Sequence, residues 1–231
     1  MSFGQNIQFL RKMHKGMTQE ELAEKMEVSR QTVSKWELDA TYPEMDKVIE
    51  LCKLFSCSMD QLVREDINVS NDAYLNLRVE EVDSFSYVKY AVISGEPEDD
   101  AIKHINEWAI NNGINQPEIV GWDFPHVSQE QINVYHMHGY AAACILPGNF
   151  EKEGNNLEVI MQKQQQYAII TVKEPFTAPF ILIPNAYKTI MIYMEVNGYK
   201  HKYTKEVLSC FEKVYEKDGI CYMDVFVAVE G

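Results

Sequence analysis

Between positions 30 and 35 the chain sets out Arg30, Gln31, Thr32, Ser34 and Lys35: two cations, one amide and two hydroxyls. Those groups suit one kind of chemistry. An amide can bond an adenine edge through paired hydrogen bonds, while cations and hydroxyls reach phosphate oxygens and sugars. No acid stands between residues 28 and 36, although the whole chain holds 35 Asp and Glu against 21 Lys and Arg. Gln31, Thr32 and Ser34 are also middling helix formers, which a neutral helix surface would tend to exchange for Glu, Lys or Ala. With Gln19 on the preceding helix, these residues are expected to contact double-stranded operator DNA.

A second set lies near the C-terminus. Glu212 stands among Phe211, Val214 and Tyr215. On an alternating strand it faces either water or the interior. In the second case a buried carboxylate is costly unless paired, and an incoming cation would relieve that cost. Aromatic rings would add cation–π attraction of about 0.5–2 kcal/mol each. Trp122-Asp123-Phe124 occupies the comparable strand earlier in the chain, so Trp122 and Asp123 join Glu212 and Tyr215 as candidate ligand-binding residues. Trp108 and Tyr193 read as core residues of their helices. His136-Met137-His138, with His126 nearby, could set two imidazoles on one strand face, but no acid or cysteine ligand stands beside them, and a solvated hairpin is expected. No Ser/His/Asp elbow or phosphate loop occurs, so no catalytic residue, metal or cofactor is assigned.

The elements that position the first set are legible. Thr18 is a good N-cap, and Glu21 three positions on completes a capping box. Residues 19–26 carry Leu22, Ala23 and Met26 at helical spacing. A turn at Glu27-Val28 leads to a second N-cap, Ser29, and a second helix over 30–38 whose Val33 and Trp36 pack inward. Two short helices joined by a tight turn, the second with a polar outer face, make a helix-turn-helix. Around it, residues 2–14 form a first helix with Phe3, Ile7 and Leu10 inward and Arg11, Lys12 and Lys15 near its C-terminal end, cations that suit the helix dipole or a phosphate backbone. A fourth helix starts near Pro43 with Met45, Val48, Ile49, Cys52 and Phe55 inward, and Ser58-x-x-Gln61 opens a fifth.

This stretch resembles the phage-repressor/Cro (XRE) family of DNA-binding domains over about residues 3–64, through TQEELAEKMEVSRQTVSKWE and YPEMDKVIELCKLFSCSMDQLV. The resemblance implies a five-helix bundle that binds DNA as a homodimer.

Length and charge set the outer bounds. A chain of 231 residues, 46% hydrophobic, fits two domains. Residues 1–66 hold 9 Lys and Arg against 12 Asp and Glu, a net of −3; residues 67–231 hold 12 against 23, a net of −11. The acidity therefore lies mainly outside the helix-turn-helix. Five cysteines without zinc spacing, no signal peptide and no apolar run of membrane-spanning length point to a cytoplasmic protein with no membrane partner. Residues 67–76 read as a linker. Beyond it lie 21 of the 26 aromatic residues, and the pattern changes to strands at 87–93, 117–124 and 133–146 around a helix over 99–112. The order then recurs, with strands at 167–173, 208–215 and 220–229 around a helix over 186–196 capped by Asn185. Residues 108–114, WAINNGI, line up with 193–199, YMEVNGY. The expected architecture is an all-α five-helix bundle (1–66) followed by an α+β domain (77–231) of two βαββ repeats about a central cleft.

The segments FEKVYEKDGICYMDVFVAVE and GYAAACILPGNFEKEGN are similar to the gyrase-inhibitor-like (GyrI-like) effector-binding domain, over about residues 77–231. That resemblance implies a small-molecule effector, cationic and lipophilic, held by an acid of the late strand in an aromatic pocket, here Glu212 with Tyr215. The chain departs from the family where KEPFTAPFILIPNAY replaces a glycine-proline-tyrosine turn. The expected whole is a one-component transcription regulator. Two other readings stay open: a GyrI-like hydrolase with a DNA-binding appendage, in which Glu212 is the base, and a regulator whose C-terminal domain binds a protein.

Overall fold

The computed structural model describes residues 2–65, 67, 73–124, 127–148, 150 and 158–230. Part of the expected 67–76 linker (68–72), His126 and most of the FEKEGN segment lie outside these residues. Two compact units account for the chain, and one cut does not separate them. The first comprises Met1–Tyr74, Ala178–His201 and Val229–Gly231, the second Leu75–Thr177 and Lys202–Ala228.

In the first unit the N-terminal helices are α1 (Phe3–Met13), α2 (Gln19–Lys25), α3 (Arg30–Glu37), α4 (Met45–Leu54) and α5 (Met59–Val63). The capping boxes at Thr18/Glu21 and Ser58/Gln61 are both formed, and Ser29 caps α3 through the Thr32 amide. Ile7, Leu10, Leu22, Val33, Trp36, Leu51, Phe55 and Leu62 fill the core between them. Two expectations fail at α4. It starts at Met45 behind Glu44, so Pro43 precedes the helix, and Met45 and Ile49 face solvent. Only Val48 and Leu51 of α4 are buried, and Met45 and Ile49 stand exposed on its outer side together with Asp46 and Lys53.

A further helix, α8 (Pro179–Asn197), belongs to this unit by packing although it comes late in the chain. Val196 is buried in the same core as the N-terminal helices, with Ile192 against it. Asn197 Nδ2 donates to the Met13 carbonyl at 2.8 Å, and His14 Nδ1 lies 2.9 Å from the Val196 carbonyl oxygen. Helix α8 is longer than the expected 186–196. Asn185 is not its cap: the helix starts at Pro179, and Pro184 sits inside it. Proline at the first position is tolerated because its missing N–H has no partner there, whereas Pro184 forfeits one helical bond. Gly198 ends the helix in the left-handed conformation at φ 75°.

The second unit is built on an antiparallel sheet of β1 (Tyr74–Val82), β2 (Phe85–Ser94), β3 (Glu118–Asp123), β4 (His138–Ile145), β5 (Val159–Gln162), β6 (Gln165–Lys173), β8 (Cys210–Lys217) and β9 (Ile220–Glu230); the short β7 (Lys200–His201) pairs with Val229 and Glu230 at the end of β9, all four residues falling in the first unit. Helix α6 (Pro97–Asn111) and the short α7 (Gln129–Asn133) complete it. The strand order β1-β6-β9-β8-β3-β4-β2-β5 is palindromic about the β8–β3 pair. Each expected repeat is present with one strand added in front, and those added strands are exchanged: β1 lies beside β6, and β5 beside β2. The repeats also match at their helix ends, where Asn112 Nδ2 donates to the Trp108 carbonyl and Asn197 Nδ2 to the Tyr193 carbonyl, each at 2.7 Å. Strand β1 starts inside the expected linker, and the expected 133–146 strand is shortened to β4 by α7 and its turn. Asp218 and Gly219, both with positive φ, close the β8–β9 hairpin as a two-residue turn.

Candidate nucleic-acid interface and effector site

Helix α3 exposes Arg30, Gln31 and Lys35 and half-exposes Thr32 and Ser34, while Val33, Trp36 and Glu37 face the core. Arg30, Gln31, Ser34 and Lys35 form one continuous outer arc at helical spacing. Thr32 sits at its flank, its hydroxyl 2.9 Å from that of Ser29. Arg30 comes no closer than 4.0 Å to Glu20, and both are well exposed, so that pair leaves the guanidinium available.

What orients this helix is a buried ion pair that the sequence reading did not find. Glu37, at the end of α3, has a side chain only 1% exposed and accepts from Arg11 Nε at 2.5 Å and Nη2 at 3.1 Å. Arg11 also donates through Nη1 to the Met17 carbonyl. Gln19 Nε2 donates to the same Glu37 carboxylate at 2.9 Å. One carboxylate thus ties α1, α2 and α3 together. Arg11 stands in the last turn of α1 as expected, but it is buried in this pair and not presented to a phosphate backbone, and Gln19 is held at the start of α2 by its bond to Glu37.

In the sheet unit the pleat divides the four candidate ligand residues into two pairs. Glu212 stands opposite Gly121 in the β8–β3 register and therefore shares a face with Asp123. Trp122 projects from the other face, edge-on to Tyr87 in a core with Tyr167, Phe211 and Phe226. Tyr215 also lies there, stacked on Tyr222, with its hydroxyl 3.3 Å from Asp224 Oδ1. Neither ring stands with Glu212, contrary to expectation, because each is an odd number of residues from the acid it was grouped with.

The Glu212 face holds different partners. Tyr140 of β4 is buried, and its phenol lies over Gly121: a Cβ on that glycine would collide with the Tyr140 ring and hydroxyl. Burial raises the Tyr140 pKa, and the charges of Glu212, Glu98 and Asp123 raise it further. Glu98, in the first turn of α6, has its pKa raised by burial and by Asp123 and Asp99. Asp123 is raised by burial, with His138 opposing. Glu98 and Asp123 are nevertheless exposed residues, so their neighbours raise their affinity for protons without removing them from water. Three acids from α6, β3 and β8 therefore converge on one tyrosine. Sequence reasoning missed Glu98 and Tyr140. The available signal was Gly121 inside a strand, which marks a place where another group approaches closely.

His136 precedes β4 with a positive φ and His138 opens the strand, so the two do not form the pair on one strand face that was considered. No group of three His, Cys, Asp or Glu suited to a metal occurs among the described residues, and none of their helices is long and apolar enough to cross a membrane.

Residues 7–62 match the helix-turn-helix family HTH_3, and this part of the chain is a helix-turn-helix domain. The HTH-type transcriptional activator BcrR of Enterococcus faecalis is 43% identical over 63 residues, 27% of this chain. The match spans only 30% of that curated relative. A transcriptional regulator from Listeria innocua is 32% identical and covers 31% of this chain and 65% of its own, with a TM-score of 0.27. EcmrR, solved in a DNA complex, is 11% identical and covers 90% of this chain and 97% of its own, with a TM-score of 0.48.

Proposed function

We propose that the chain is a one-component transcription regulator that binds operator DNA as a homodimer through α3 and senses a cationic, lipophilic small molecule at the Glu98–Asp123–Glu212 group. The DNA-binding half rests on the acid-free outer arc of α3 inside a helix-turn-helix domain. The effector half rests on the convergence of three acids on Tyr140, which favours a cation over a neutral or anionic guest. The same convergence weighs against a hydrolase with Glu212 as base and Tyr215 as partner, since Tyr215 stands on the opposite face of the sheet.

The DNA reading is tested on a selected operator in matched salt. Gln31→Ala is expected to relax sequence preference, since a bidentate amide–adenine pair is worth about 1–3 kcal/mol of discrimination. Lys35→Ala is expected to weaken binding to all sequences and flatten its salt dependence. If both variants bind as wild type does, α3 is not the reading helix.

The effector reading is tested by pH. Glu98 and Asp123 hold protons more tightly in the folded chain than ordinary carboxylates do. As pH rises through their raised pKa values they ionise at the expense of stability, and a bound cation recovers that loss. A quaternary aromatic cation should therefore bind more weakly as pH falls through the raised pKa values of these two acids, while its uncharged isostere should bind equally above and below them. Glu212→Gln should weaken the cation at least about tenfold, or ~1.4 kcal/mol, and spare the isostere. Calorimetry showing equal losses for the two compounds would exclude charge recognition here.

A further inference from the structure

The outer face of α4 is unusual for a helix in a small acidic domain. Met45 is 62% and Ile49 42% exposed, and Tyr42, just before the helix, is 69% exposed. These are large apolar groups on a helix whose inward face is already filled by Val48 and Leu51. Two exposed charges share this face: Asp46 at its start and Lys53 at its end, seven residues or about 10.5 Å apart along the axis. Neither forms an ion pair among the described residues. By contrast, Lys47 and Glu50, toward the flank, are paired with each other at 2.8 Å.

We infer that this face of α4 docks on the same face of a second copy of the chain, antiparallel about a two-fold axis between the levels of Ile49 and Glu50. The inference rests on the homodimer reading above and assigns the surface that makes the dimer. The spacing is self-complementary. When two such helices lie antiparallel with the two-fold axis passing between the levels of residues 49 and 50, Asp46 of each lies opposite Lys53 of the other, so two ion pairs flank a centre formed by the two Ile49 side chains. A C2 contact requires that the same patch serve both subunits, and a stripe carrying one charge of each sign, spaced equally about the midpoint between residues 49 and 50, meets that requirement. A partner with one sign of charge would gain from one end of the stripe and lose at the other. The stripe also lies in the same helical domain as α3, so pairing through it fixes the distance between two reading helices, as a two-half-site operator about one turn apart demands. A ten-residue helix buries less than a standard interface, so the free dimer is weak and DNA strengthens it.

Sedimentation of the full chain at micromolar and higher concentrations tests the assignment, with thermal melting as a folding control. Wild type should show a concentration-dependent dimer. Ile49→Glu should weaken it at least about tenfold without lowering the melting temperature. Asp46→Lys and Lys53→Asp should each weaken it, and the double variant should restore it, a rescue that only reciprocal pairing between copies gives. Dimerisation unchanged by Ile49→Glu, or no rescue in the double variant, would overturn the α4 assignment and leave the homodimer standing elsewhere on the chain. A wild type that stays monomeric at all concentrations, and binds a selected operator as a monomer, would overturn both.

Discussion

Arg11→Met should cost the helical domain about 3–5 kcal/mol, the usual consequence of leaving a buried charge without its partner. The abandoned group is the Glu37 carboxylate, which has almost no access to water and retains only Gln19 as a donor among its present partners. Arg11→Met with Glu37→Leu should recover most of the loss, because two apolar side chains of similar volume often replace a buried pair at little cost. Recovery should stop short of completion, since Gln19 Nε2 and the Met17 carbonyl each lose a partner. Chemical denaturation followed by helical circular dichroism measures all three proteins. A double variant no more stable than Arg11→Met would mean that the pair does more than neutralise itself, holding α2 and α3 at an angle that apolar contact does not reproduce.

Gly4→Ala offers a second large effect, and here two rules oppose each other. Inside a helix alanine is favoured over glycine by about 0.8–1 kcal/mol. At Gly4, however, an added Cβ would run into the Trp36 carbonyl oxygen and the Glu37 backbone, where α1 and α3 touch. Those are backbone atoms and cannot swing aside. The Gly4 amide also donates to Asp39 Oδ1 at 2.8 Å, which pins α1 to the residues just after α3. Overpacking of this kind costs about 1–3 kcal/mol, so a net loss of stability is expected, with a lower melting temperature and weaker operator binding. An alanine variant as stable as wild type would show that α1 can shift away from α3 without harm.

Local signals carried far in this chain, and distant ones did not. Thr18, Ser29 and Ser58 announce their helices because a cap and its partner lie within three residues of each other. The two-residue turn at Asp218-Gly219 is legible for the same reason. The fate of Arg11 was hidden because its partner lies on another helix, and a cation at a helix C-terminus already has an adequate local explanation. Strand β1 was hidden by its charges and by Asn76, whose left-handed backbone breaks the alternation. Helix α8 was cut short because Pro184 looks like a beginning.

For the acidic group around Tyr140, Glu212 and Asp123 were legible as acids on comparable strands, but the faces of the aromatic residues grouped with them were not. Which face each side chain takes depends on the Gly121–Glu212 register, and a pairing between strands so far apart in the chain leaves no mark in either. Glu98 passes for an ordinary first-turn acid until Asp123 and Tyr140 are set beside it.

Helix α8 also bears on heredity. By position in the gene it is part of the second repeat, between β6 and β7, yet Val196 closes the hydrophobic interior of the DNA-reading domain and Asn197 holds the last carbonyl of α1. Regulators are commonly pictured as exchangeable heads on exchangeable bodies, joined at a linker. This head has no such seam. A recombination event at the linker would carry off α1 to α5 and leave behind the residue that completes their interior, so a hybrid would start with a gap where Val196 belongs. Only a body that brings an equivalent helix of its own could accept it, and the two parts are therefore expected to have descended together.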